Sequence, residues 1–291
     1  MNMITKMYKV HKTRKYMLRE IRREVDPKEF LRSKKDRIGY VMEIEVCDSL
    51  IDGLRILERI PGYDLYLYLK DKAAGFTKLI EFGRRISQRT IYAATNRIVA
   101  CAVEKYELYN YDLDSQEVRE KIERAKKLIK KVLVHEFVHI VDHERETTKE
   151  KQRKLGFLDT MALVSTVNRG EITDQMWDNV YAGLARVPRT ELIVICATSL
   201  ILEEDVLNGS SEDYVREYNE VDARMKQIPR LDLRNIEIFG HLHEFFVENR
   251  HLIATRFLAD VMVRLGEYSL YHIINSPPRF DEMVYPERYL A

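Results

Sequence analysis

Two histidines four residues apart flank a glutamate in the run His135-Glu136-Phe137-Val138-His139. On an α-helix, positions i and i+4 share a face, with Cβ atoms ~6 Å apart. Two imidazoles so placed can both reach one ion at ~2.0–2.1 Å, the bond length of tetrahedral zinc. Glu136 lies ~100° round the helix from His135. From there its carboxylate can hold and deprotonate a water in the fourth, open position. These residue types at this spacing are what metal-assisted hydrolysis requires. The three cysteines, Cys47, Cys101 and Cys196, are too few and too scattered for a thiolate zinc site or a disulfide framework. They read as ordinary buried thiols of a reducing compartment.

The motif needs a helix to carry it, and its flanks predict one from Ser115 to about Arg145. Asp114 with Glu117 forms a capping-box pattern, and Glu120, Lys121, Glu123, Arg124, Lys126, Lys127, Lys130 and Lys131 make a wet face. From Val132 to Val141 the helix is apolar almost all round, which marks a buried segment. Three polar side chains in such a dry stretch need partners, and one metal ion would partner them together.

A third ligand must come from elsewhere. His143 shares the face, but it stands ~12 Å along the axis from His135, too far for three ~2 Å bonds to converge. Asp142 is placed to orient a zinc histidine, and His143 to cap or hydrogen-bond nearby. Downstream, Glu220 is the best candidate, on a helix whose small Ala223 permits close packing. Asp222 is the runner-up, as ligand or as a partner of a zinc histidine. Glu217, Glu220 and Asp222 also fit a plain acidic helix face. His241 and His243 fall on opposite faces of a helix and read as ordinary surface or core histidines.

Around this centre the periodicity divides the chain. Residues 39–46 and 63–69 alternate and predict strands. Residues 51–60 between them predict a short helix ended by Pro61-Gly62. Residues 90–94 and 98–103 predict a hairpin turning at Thr95-Asn96. The result is a small, mostly antiparallel sheet. After Thr147 the pattern predicts helices over 151–167, 174–186, 190–206, 212–226, 235–249 and 251–264. From Pro277 an extended tail is predicted to wrap over the surface.

Composition bounds the function. Of 291 residues 45% are hydrophobic, and Lys+Arg (48) nearly balances Asp+Glu (47). A globally basic nucleic-acid binder and an acidic disordered chain are thereby disfavoured. With 11 Gly and 7 Pro, long helices are favoured over a turn-rich sandwich. Residues 1–38 alone are basic, with 13 Lys+Arg against five acids. They read as an amphipathic helix packed on the main body, with contact to nucleic acid or an anionic surface as the alternative. The most apolar run, Leu192 to Leu202, is about half of what a bilayer needs, so no membrane partner is expected. Without an apolar h-region near residue 1, a cytoplasmic location is expected; a viral or phage origin fits equally.

The run from His135 to His143, followed about 80 residues later by Glu220-Val221-Asp222-Ala223, resembles the zincin-type zinc metallopeptidases. More narrowly it resembles their gluzincin branch. The Glu-x-x-Ala form of Glu220 to Ala223 is similar to the ImmA/IrrE-like peptidases. The His-Glu-Phe-x-His-x-Val-Asp run is similar to the catalytic domain of anthrax lethal factor. The resemblance implies Zn2+ at His135, His139 and Glu220, with Glu136 as base. It implies a preceding sheet whose edge holds substrate by strand addition, and a Tyr or His steadying the oxyanion, for which Tyr214 and Tyr218 are the local candidates. The expected fold is α+β: mostly helical and zincin-like, with a small antiparallel or mixed N-terminal sheet and a helical C-terminal lobe. The expected divisions are a basic segment 1–38, a catalytic domain 39–232, and helices with a tail over 233–291. The expected activity is zinc-dependent hydrolysis of peptide bonds in a protein or peptide substrate. Two alternatives are a regulatory or virion protein that keeps the fold, and a nucleic-acid-associated protein using the basic segment.

Overall fold

The computed structural model describes residues 2–58, 75–82, 85–145, 174–204, 212–228 and 236–289. By contact density the chain divides into two units, Met1–Val141 and Asp142–Ala291. The predicted strand over 63–69 and helix over 151–167 lie outside the described residues.

The first unit opens with α1 (Met3–Glu24), capped by the Asn2 side chain, which accepts from the Thr5 N–H at 2.8 Å. Asp26 caps α2 (Pro27–Met42), with Pro27 at the first turn where its missing N–H costs nothing. The alternation over 39–46 is therefore not a strand: residues 39–42 finish α2. Glu43 adopts a left-handed conformation (φ 52) and the Ile44 N–H returns to the Gly39 carbonyl at 3.1 Å. A Cβ on Gly39 would meet the Ile44 oxygen at 2.9 Å, so the glycine permits this close return. The expected boundary at 38/39 also falls inside α2. The helix predicted over 51–60 is replaced by α3 (Asp48–Asp52) and then strand β1 (Leu54–Leu57).

Two further strands, β2 (Gly75–Phe82) and β3 (Arg85–Ala93), complete a three-stranded sheet of order β1-β3-β2. β2 and β3 pair antiparallel, with Thr77 opposite Ile91 and a bulge at Ile80/Glu81. β1 pairs parallel to β3, with Leu54 opposite Arg89. The mostly antiparallel sheet is corrected in that respect. The second arm of the expected hairpin is helix α4 (Thr95–Lys105). Its buried residues, Thr95, Ile98, Val99 and Val103, recur at helical spacing, and β-branched content alone misdirects there. α1 packs on α4 and on the short turn Leu108–Asn110.

The long helix α5 (Gln116–Arg145) runs as predicted, 30 residues in all. Its cap is Ser115, whose Oγ accepts from the Val118 N–H at 3.3 Å, in place of Asp114. The dry stretch is buried: Leu133, Val134, Phe137, Val138 and Ile140 have no exposed surface. Lys126, expected on the wet face, is buried. It donates to Glu123 at 2.7 Å and to Glu24 of α1. Burial works against its charge, but the two carboxylates outweigh that and raise the ammonium pKa.

The second unit is helical throughout its described residues. The helices expected over 174–186 and 190–206 are one element, α6 (Asp174–Leu202), with Pro188 inside it. An interior proline normally removes one helix bond at a cost of ~3 kcal/mol. The burial of Leu184, Ala185, Leu192, Val194, Cys196 and Ala197 on either side of Pro188 holds the helix together regardless. Then follow α7 (Glu212–Met225), α8 (Ile236–Glu248) and α9 (Arg250–Leu265), all close to expectation. After α10 (Tyr268–Asn275), the expected extended tail is instead two short helices, α11 (Phe280–Val284) and α12 (Pro286–Tyr289). Arg145 at the end of α5 donates to the Ile274 carbonyl of α10 at 3.1 Å.

The core of this unit gathers Ala185, Val221, Met225, Leu242, Phe246, Ile253 and Met283. Beside it Trp177 stacks on Tyr181 (6.1 Å), Tyr181 on Phe280 (5.5 Å) and Phe280 on Phe246 (5.7 Å). Of the cysteines only Cys196 is buried; Cys47 and Cys101 are exposed, which corrects the reading of all three as core thiols.

Candidate metal centre

α5 delivers the motif as its spacing requires. The imidazoles of His135 and His139 lie edge to face, with ring centroids 5.0 Å apart. Both are half-buried, and Glu136 between them is buried. Glu136 is held from the sheet: the Thr77 hydroxyl lies 2.8 Å from its Oε2 and 2.8 Å from its backbone carbonyl oxygen. One hydroxyl hydrogen serves either acceptor. Strand β2 thus reaches the helix at its buried carboxylate.

Among the described residues, His135, His139 and Glu191 form a group in which one nitrogen or oxygen of each lies within 4.8 Å of the others. Glu191 is buried, at 7% exposure, in the middle of α6. Its Oε1 accepts from His251 Nδ1 at 3.0 Å, and Arg250 Nε stands 4.0 Å from Oε2, both from the start of α9. Two neutral imidazoles with one carboxylate match a known catalytic zinc set. This group could hold a metal ion.

The other expected site residues lie elsewhere. Glu220 is exposed on α7 and, among the described residues, belongs to no such group. Asp222 accepts from Arg256 Nε at 2.7 Å and from Lys226 Nζ at 2.6 Å. Burial opposes its charge, but the two cations hold its carboxyl below the usual carboxylate range. Asp222 therefore serves the packing of α7 on α9, with buried Arg256 as its partner. Asp142 faces Arg145 at 3.3 Å. His143 is half-buried, as is Tyr218. The side chain of Tyr214 lies outside the described residues. Thr77, Glu191, Arg250 and His251 are the residues that sequence reasoning missed.

The Asp222–Arg256 pair carries a pH signature. A carboxyl whose folded pKa is lowered contributes stability that is present above its ordinary value of 3.8 and is lost as pH falls through the folded pKa. Asp222→Asn is expected to cost about 1.5 kcal/mol at pH 6. Urea midpoints of variant and wild type should converge as pH falls below 3.8; a constant gap down to pH about 2 would show that the charge is not the cause.

Three cations of the basic N-terminal segment pair within their own unit. Arg22 Nε sits 3.0 and 3.1 Å from the two Glu58 carboxylate oxygens, Arg32 pairs with Asp52, and Lys35 lies 3.0 Å from both oxygens of Asp48. No helix among the described residues is long and apolar enough to cross a membrane. Comparison with protein-family models, with curated proteins and with solved structures found no match for this chain.

Proposed function

We propose that this chain is a zinc-dependent hydrolase acting on peptide bonds of a protein or peptide substrate. The observation that carries the reading is the single turn of α5 that sets His135 and His139 side by side, with Glu136 buried between them and held by Thr77. His135, His139 and Glu191 would hold the ion. When bound, zinc supplies Lewis acidity toward a scissile carbonyl and toward water.

The protein's own residues do the rest. Glu136 takes a proton from the attacking water and passes it to the departing amine. Thr77 steadies the Glu136 carboxylate by donating to Oε2. His251 and Arg250 hold the Glu191 carboxylate from behind, as carboxylate ligands generally require. Tyr218 remains the proposed donor to the oxyanion, with Tyr214 as its neighbour on α7. A binding protein has no use for a buried, hydrogen-bonded Glu136, and this disfavours the regulatory or virion reading.

Elemental analysis tests the premise. The purified protein, supplied with zinc and then dialysed, is expected to retain about one zinc per chain. Retention of no divalent metal would end the hydrolase reading.

A further inference from the structure

We propose that the first turns of α1 dock on an anionic phospholipid bilayer. Residues 2–9 are all exposed, with Lys6 Nζ over the Tyr109 ring at 5.3 Å, and burial begins at half-buried Val10, followed by buried Thr13, Met17 and Ile21. The free portion is nevertheless apolar on one side. Met3, Ile4, Met7 and Tyr8 expose 77%, 77%, 66% and 67% of their surface. At ~100° per residue these four fall within an arc of about 140°. Four large apolar side chains in water on two successive turns form a coherent stripe, and a stripe of that kind marks an interaction site more than four scattered residues would.

The charge around the stripe identifies the occupant. Lys9, Lys12 and Lys15 are exposed on the same stretch. Farther along, Arg22, Arg32 and Lys35 are already paired with Glu58, Asp52 and Asp48. Lys9, Lys12 and Lys15 thus offer their charge beside the apolar stripe. Nucleic acid would use the lysines but leave Met3, Ile4 and Met7 in water among phosphates. An anionic leaflet takes both: the apolar side chains enter the acyl boundary, and the lysine stems reach back to the headgroups. Two exposed turns are too short to span a bilayer, so the segment lies on the surface. The expectation of no membrane partner rested on the lack of a spanning run, which does not bear on a surface helix.

The intact protein is expected to sediment with vesicles of phosphatidylcholine containing about 30% phosphatidylserine, and at least about tenfold more weakly with phosphatidylcholine alone. Replacing Met3, Ile4, Met7 and Tyr8 together by Ser should weaken binding about tenfold or more. Lys9→Gln with Lys12→Gln and Lys15→Gln should weaken it and flatten its salt dependence. These positions are on the surface, so the helical circular dichroism of each variant should match wild type. Equal binding to both vesicle types, undiminished binding by the four-serine variant, or binding to an RNA or DNA oligonucleotide with none to vesicles would each overturn the proposal. None of these outcomes depends on the metal centre.

Discussion

Glu136→Gln is expected to retain zinc and to lose about 10²–10⁴-fold in peptide hydrolysis. The amide is nearly isosteric, so the packing around a side chain that is only 5% exposed survives the change. The Thr77 hydroxyl can still donate to the amide oxygen. What is lost is the capacity to accept a proton from water. The measurement is turnover of a generic protein substrate by zinc-loaded variant and wild type, alongside zinc content. Wild-type turnover with full zinc would remove Glu136 from the chemistry. Loss of zinc with turnover would make it a ligand instead of a base.

The second large effect discriminates two carboxylates. Glu191→Gln should weaken zinc binding by more than the ~100-fold upper bound typical of residues that only orient a ligand, whereas Glu220→Gln should leave affinity unchanged. Glu191 is buried, with Oε1 hydrogen-bonded to His251 and Oε2 4.0 Å from Arg250 Nε. Glu220 is exposed. His251→Ala should fall between them, at ~10–100-fold. Competition with a chromophoric chelator reads all three. Should Glu220→Gln strip the metal while Glu191→Gln keeps it, the assignment of the third ligand reverses.

The legible parts of this protein were those where one signal acted alone. α5 combines a charged periodic half with an apolar half, and no other element competes for that pattern. The paired histidines were legible because i,i+4 geometry is internal to one helix. Residues 39–46 and 98–103 misled for the opposite reason. Their β-branched and alternating residues suit a strand locally, but burial of Val41, Met42, Val99 and Val103 on helix faces outweighs that preference. Pro188 likewise advertised a break that packing on both sides overrides.

The proposed third ligand, Glu191, could not be reached by spacing at all, because it lies outside the motif's helix. One cue did exist. Glu191 opens the most apolar run in the chain, Leu192 to Leu202, and so repeats the anomaly of Glu136: a carboxylate in a dry stretch. An acid soon after Pro188 would also suit the first turn of a new helix, but within one continuous α6 it is a buried carboxylate that needs positive partners. Thr77 offered no cue, since a threonine in a strand is ordinary.

The aromatic stack in the second unit has an optical consequence. Trp177 is the single tryptophan of the chain, it is 6% exposed, and Tyr181 covers it. Intrinsic emission excited at the red edge of indole absorption therefore comes from one place. It reports the packing of Trp177, Tyr181 and Phe280 and carries no direct signal from the sheet or α1. Far-ultraviolet dichroism, by contrast, averages helices over both units. Following both signals through a denaturant titration separates the melting of Asp142–Ala291 from that of the whole chain. Two superimposed curves mean the units unfold as one, and two displaced curves mean that the unit carrying His135 and the unit carrying Glu191 have separate stabilities.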